Sequence, residues 1–171
     1  MNVDELVPVL VLGLVSLQRV GELWLSRRNT AQLLAEGAHE VGASHYPLIV
    51  ALHVAWLTGL WFLVLARAPV MIVGTDWLWL GLFAVLQLGR TWVLSSLGVR
   101  WTTRIIVLPG APLVTSGPYR FTSHPNYWVV AGEIATLPLA FGLPWFALVF
   151  SAFNAAVMWV RVRTEAAALH P

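Results

Sequence analysis

The chain has 171 residues, 58% of them hydrophobic and 11% charged, with ten tryptophans, no cysteine and a formal net charge of +2. Soluble domains carry about 25% charged residues, so this composition excludes an ordinary soluble protein. It also excludes disulfides, thiolate metal sites and a cysteine nucleophile, and so small a charge does not suggest nucleic-acid binding.

The first apolar run, 6–25, follows an acidic start that lacks the basic n-region of a signal peptide. It is expected to be a permanent span. Runs at 46–66 and 77–97 supply the ~20 apolar residues that a spanning helix requires. A fourth run, 127–141, is short: at ~1.5 Å per residue it reaches about 22 Å, against a hydrocarbon core of about 30 Å. It is expected to tilt or to enter from the interface. The fifth, 144–160, follows directly after Gly142 and Leu143, which predicts a tight antiparallel hairpin with the fourth. The expected fold class is an all-α integral membrane protein with about five transmembrane helices in one domain over 1–171. Three spans fill 1–97, and a long connection, a helical hairpin and a tail fill 98–171.

All ten basic residues are arginine. Arg27, Arg28, Arg100, Arg104, Arg120, Arg161 and Arg163 fall in segments that five spans place on one side, with Arg67, Asp4 and Glu5 opposite. The positive-inside rule then predicts an integral membrane protein with its N-terminus out and its C-terminus cytoplasmic.

The connection 98–126 is long and rich in proline and glycine. It reads as short extended pieces, "TTRIIVL" and "APLVT", separated by turns. Long ordered connections of this kind are commonly functional.

Several polar residues lie within the apolar runs. Arg19 and Glu22, at i and i+3, share a helix face and are placed to pair. Gln87, Arg90, Thr91 and Ser95 form one stripe on the third span, and Arg90 reads equally as a structural or a site residue. Ser151, Asn154, Met158, Arg161 and Glu165 form another stripe, which leaves the membrane with the fifth helix. It reads either as a packing seam or as the wall of a pocket. Glu133 shares a face with Asn126 and reads as glue between helices, as a base, or as a partner for Arg90 or Arg161.

The stretch "GPYRFTSHPNYWVV", 117–130, gathers the densest polar chemistry. Pro125 suits the first turn of the fourth helix, and Ser123 is placed to cap it. His124 and Tyr127 then face the helix opening, where free N–H groups and the positive dipole end converge. Gly117 and Pro118 set a turn that carries Tyr119 and Arg120 over it.

"SGPYRFTSHPNY" followed by "RVRTEAA" resembles the signature of the isoprenylcysteine carboxyl methyltransferases and their bacterial relatives: Gly-x-Tyr, Arg-His-Pro-x-Tyr, a helical hairpin, then Arg-x-x-x-Glu-Glu. Ser123 stands where the family commonly has a basic residue, Ala166 where it has a second acid, and the chain stops at Pro171 without the longer tail of many members. "QRVGELWLSRRN", "GASHYPLIVALH" and "SSLGVRWTTRIIVLPGAPLVTSGPYRF" resemble a bacterial subgroup associated with type III polyketide synthases. The resemblance implies an integral membrane O-methyltransferase that uses S-adenosyl-L-methionine, enclosed by the C-terminal hairpin and the connection before it, with a lipidic acceptor entering from the bilayer.

On that resemblance the cofactor-binding candidates are Gly117, Tyr119, His124, Pro125, Tyr127, Asn154, Arg161 and Glu165, and the catalytic candidates are Arg90, Glu133, Arg161 and Glu165. Arginine suits the cofactor's carboxylate because its fork is bidentate, and a carboxylate suits the ribose hydroxyls or the ammonium. A prenylcysteine carboxylate or an acidic enol needs only placement, with Arg90 as a guide for the anionic head. A simple phenol needs a base, Glu133 or Glu165. Two other readings are a phospholipid N-methyltransferase and a non-enzymatic membrane scaffold.

Overall fold

The computed structural model describes residues 3–66, 72 and 74–169; Arg67, Met1 and Pro171 lie outside them. Five helices make up almost all of it: α1 (Val3–Ala35), α2 (Tyr46–Ala66), α3 (Asp76–Leu97), α4 (Pro125–Ala140) and α5 (Pro144–Leu169). Four of them are long and apolar enough to cross a membrane, over Leu6–Ala35, Tyr46–Ala66, Asp76–Arg100 and Pro144–Glu165. Outward side chains such as Leu17, Phe62, Leu78, Leu88, Trp128 and Trp145 are exposed, so the exterior of the bundle is apolar. Water does not tolerate so continuous an apolar surface, whereas lipid does. The chain is an integral membrane protein.

The fourth helix has 16 residues and is not one of those four. It is instead largely enclosed, burying Val129, Val130, Glu133, Ile134, Thr136, Leu137 and Ala140. Protein rather than lipid surrounds it, so its length is not matched to a bilayer. Its end is set by Gly142 at φ +65°, a left-handed conformation that glycine adopts without strain. The N–H groups of Gly142 and Leu143 return to the carbonyls of Leu139 and Pro138 at 3.0 and 2.9 Å. This satisfies the last turn and reverses the chain into α5, as the short spacing predicts.

At that end Leu12, Val15, Trp56, Leu60, Val64, Phe83, Ile134, Leu137 and Phe141 form one apolar core. Tryptophan N–H groups are satisfied within it: Trp56 donates to the Ile134 carbonyl at 3.3 Å and Trp61 to Ser16 Oγ at 3.0 Å.

The opposite end is polar and holds the arginine-bearing segments together. The first helix runs ten residues beyond the expected boundary at 25, because its extension is docked rather than free. Ser26, Asn29 and Leu33 on it are buried. Ser26 Oγ and Tyr46 Oη meet Thr103 Oγ1 at 2.9 and 3.0 Å, and Asn29 Nδ2 donates to the carbonyls of Gly98 and Trp101 at 3.2 and 2.8 Å. Part of the expected extended piece "TTRIIVL" is a strand, β2 (Ile105–Val107), paired antiparallel with β1 (His39–Val41) in the register Val41↔Ile105. The β1 strand has no alternating pattern to mark it. The pairing is reinforced by Arg104 and Glu40 at 2.7 Å.

Candidate functional site

The connection between α3 and α4 folds over the polar end of the bundle and covers a cavity of about 400 Å³, within the roughly 300–1,000 Å³ of small-molecule sites. Tyr119, His124, Tyr127, Arg161 and Glu165 all line it. They come from three places: a short 3-10 turn (Gly117–Arg120), the opening of α4, and the far end of α5.

The α4 opening departs from expectation in one respect. Pro125 is in its first turn, but the capping position is His124, without a side-chain capping bond, and Ser123 does not cap. The imidazole is instead stacked on the Tyr127 ring, 5.1 Å between centroids and 16° between planes. His124 Nδ1 lies 3.8 Å from Glu165 Oε2.

Tyr127 is the centre of a directional chain. Arg161 Nε donates to its hydroxyl oxygen at 2.9 Å, and the hydroxyl donates in a short bond to Glu165 Oε2. Arg161 Nη1 donates to the Thr103 carbonyl at 2.9 Å. Arg161 is buried, yet among the described residues it makes no ion pair. A buried guanidinium held only by neutral oxygens is suited to an anionic ligand group.

The Tyr119 hydroxyl is pushed up to about 12, by burial first and by the Glu165 carboxylate second. It is therefore a neutral donor at ordinary pH. Gly117 sets its position: φ is +60°, and a Cβ there would strike Ser96 and come within 3.3 Å of Trp92 Nε1. The side chain of Arg120 is exposed and lies over the Phe121 ring at 4.4 Å, not over the cavity.

Five expected site residues do not line this cavity: Gly117 in the 3-10 turn, Pro125 in the first turn of α4, and Asn154, Arg90 and Glu133 deeper in the bundle. Asn154 is 2% exposed on the buried face of α5 and lies outside the lining. Arg90 and Glu133 are deep between α1, α3 and α4, 6% and 2% exposed. Arg90 binds Glu22 through Nε and Nη2 at 2.5 and 2.6 Å and reaches Glu133 through Nη1 at 3.1 Å. Arg19 bridges the same two carboxylates at 2.8 and 2.7 Å, and Gln18 and Gln87 donate to them at 3.0 and 2.8 Å. Two arginines and two glutamates thus neutralise one another inside the bundle. Both Arg90 and Glu133 are thus paired with side chains of the bundle and lie outside the cavity lining. The expected stripe on α3 divides: Gln87 and Arg90 join this network, whereas Thr91 and Ser95 face outward and bond their own backbone at 3.0 Å.

The structure also adds residues that the sequence reading did not place in the site: Trp101 and Asn126, both lining the cavity, and Thr103, whose carbonyl accepts from Arg161. Asn126 stands inside the His-Pro-Asn-Tyr motif, so its position was readable. Thr103 had no local signal.

Fold and site together define a polytopic helical membrane protein with a polar, ligand-sized cavity at one end of the bundle. The chain belongs to the isoprenylcysteine carboxyl methyltransferase (ICMT) family, whose model matches residues 79–171. That segment includes both motifs and every helix of the hairpin. Along 163 residues the chain is 40% identical to Uncharacterized protein YpbQ of Bacillus subtilis (strain 168), covering 94% of this chain and 95% of the relative. No solved structure matches it. Family membership points to a membrane methyltransferase.

Proposed function

We propose that the protein is an integral membrane O-methyltransferase that binds S-adenosyl-L-methionine in the cavity beneath the α3–α4 connection and methylates a small lipidic acceptor. The observation that carries this reading is the convergence of Tyr119, His124, Tyr127, Arg161 and Glu165, from segments up to 46 positions apart in sequence, on one cavity. The residues present fit that cofactor. Arg161 offers a buried cation without an ion-paired carboxylate, suited to the amino-acid carboxylate. Glu165 offers an anion for a ribose hydroxyl or the ammonium. The cavity volume of about 400 Å³ suits a nucleoside-sized ligand.

When bound, S-adenosyl-L-methionine supplies an electrophilic methyl group on a sulfonium. The chain's own contribution is alignment and exclusion of water. Tyr127 locks Arg161 and Glu165 at a fixed separation, and the connection covers them. Arg90 and Glu133 are assigned to packing, so an acceptor that needs a base would use Glu165. An anionic head group would meet Arg100, which lines the cavity and bonds only the Pro112 carbonyl among the described residues, rather than Arg90. The acceptor is taken as the hydroxyl of an alkylpyrone-type polyketide lipid or an isoprenylcysteine-like carboxylate. The arginine-rich end is taken as cytoplasmic.

Calorimetric titration of the detergent-solubilised protein with S-adenosyl-L-methionine tests the reading. Saturable binding that is lost in folded Arg161→Ala and Glu165→Gln supports it, and a folded preparation that binds nothing overturns it. Incubating membranes with methyl-labelled cofactor then reports the acceptor. Base-labile label in a lipid indicates an ester, and base-stable label an ether or an amine.

A further inference from the structure

Two oxygens fix the Arg161 guanidinium. Its Nε donates to the Tyr127 hydroxyl and its Nη1 to the Thr103 carbonyl, both at 2.9 Å. Its Nη2 makes no bond among the described residues, and the side chain lines the cavity. A guanidinium is planar and rigid, so the direction of its free edge depends on where the Thr103 carbonyl stands. Thr103 lies in an irregular stretch between a 3-10 turn (Gly98–Arg100) and β2. No backbone–backbone bond among the described residues fixes it there. Three bonds from the first two helices do. Its amide donates to Ser26 Oγ at 2.9 Å, its hydroxyl meets the same oxygen at 2.9 Å, and that hydroxyl also meets Tyr46 Oη at 3.0 Å. Both partners are themselves held. Ser26 is buried on the α1 extension. The Tyr46 ring lies 4.8 Å beneath the Arg104 guanidinium, which pairs with Glu40 of β1 at 2.7 Å.

None of Ser26, Tyr46 and Thr103 lines the cavity, so a hydroxyl removed from any of them takes nothing directly from a ligand. Ser26 and Tyr46 also precede the segment 79–171 that the family model matches. Their influence on the site runs through the Thr103 carbonyl. We propose that Ser26, Tyr46 and Thr103 are positioning residues: α1 and α2 hold the Thr103 carbonyl, and that carbonyl turns the free edge of Arg161 toward the anionic end of the ligand. The proposal rests on the reading of the cavity as an S-adenosyl-L-methionine site, and it gives the first two helices a part in a site whose lining comes mainly from the last two helices and the connection before them.

The test compares S-adenosylhomocysteine with methylthioadenosine, which keeps the nucleoside and the thioether but lacks the amino-acid end. Calorimetry on the full-length protein in detergent is expected to favour S-adenosylhomocysteine by roughly tenfold or more, because a carboxylate on a fixed arginine makes charge-assisted bonds. Thr103→Val keeps the carbonyl and the branched shape but removes the hydroxyl, and Tyr46→Phe removes a single oxygen. Each is expected to weaken S-adenosylhomocysteine by roughly 3- to 10-fold and to leave methylthioadenosine unchanged. Thr103→Ser, which keeps the hydroxyl, should bind both as wild type does. Should Thr103→Val fail to fold, Tyr46→Phe decides the matter. Wild-type protein that binds neither ligand overturns the cofactor reading and this proposal with it. The positioning role alone is overturned by wild type that binds the two equally, by folded variants that weaken both alike or neither, or by a Thr103→Ser loss equal to that of Thr103→Val.

Discussion

The carbonyl oxygen of Thr103 accepts a hydrogen bond from Arg161 Nη1 at 2.9 Å, which joins the connection after α3 to the last helix. The Thr103 amide and hydroxyl meet Ser26 Oγ, both at 2.9 Å, and the hydroxyl meets Tyr46 Oη at 3.0 Å. One residue of the connection therefore bonds α1, α2 and α5, and Arg161 uses the same guanidinium to orient Tyr127.

Arg161→Lys tests this double use. Lysine keeps the charge but lacks the planar fork, so it cannot serve Thr103 and Tyr127 together. The loss of one charge-assisted hydrogen bond, about 1.5–3 kcal/mol, is expected to weaken S-adenosyl-L-methionine binding by roughly 10- to 100-fold in a protein that still folds. Calorimetric affinities check it, and an unchanged affinity would show that the fork is dispensable.

The buried network of Arg19, Glu22, Arg90 and Glu133 is expected to govern stability rather than binding. Arg90→Met leaves two carboxylates sharing Arg19, and breaking a buried pair this way costs about 3–5 kcal/mol. A double change, Arg90→Met with Glu133→Leu, is expected to recover part of the loss by removing the stranded charge. Thermal unfolding in detergent reads both. Any Arg90→Met protein that remains folded should bind the cofactor as wild type does, since the network does not reach the cavity.

Gly117→Ala places a Cβ at φ +60° against Ser96. Left-handed strain costs on the order of 1–3 kcal/mol, and the clash adds to it, so the turn carrying Tyr119 should shift. Reduced thermal stability with weakened cofactor binding is the expected result. Adding Ser96→Gly should restore part of both by removing the obstacle.

Tyr119 provides an alkaline signature. Burial first, then the Glu165 carboxylate, raises its hydroxyl to about 12, so the folded state favours the neutral form. Its contribution to stability is complete below the unfolded value near 10 and is lost as pH rises through about 12. The tyrosinate absorbance of wild type minus that of Tyr119→Phe should titrate near the higher value while the protein stays folded. Glu165→Gln should move it downward, and a midpoint at the ordinary value in wild type would contradict the burial.

Much of the architecture was legible because hydropathy reports each segment's own solvent. The spans at 46–66 and 77–97, the turn at Gly142 and the extended piece after Arg104 all follow from local composition. One boundary, the end of α1, went astray, and the short fourth helix, expected as a tilted or interfacial span, is one that protein encloses. The α1 extension is helical because Ser26 and Asn29 find partners about 70 residues away, at Gly98, Trp101 and Thr103. The α4 helix is short because its surroundings are protein, which its apolar side chains do not distinguish from lipid.

Residues and spacing alone established a membrane chain, a polar cluster at 117–130 and a carboxylate–arginine stripe continuing it on the last helix, since each of these is a property of neighbours along the chain. Folding settled which charges meet. Arg19 and Glu133 are 114 positions apart and touch at 2.7 Å, and Arg90 reaches the same carboxylate at 3.1 Å, so two of the catalytic candidates, Arg90 and Glu133, are paired inside the bundle. Electrostatic partnership depends on distance in space and on desolvation, and neither quantity is written in a local pattern.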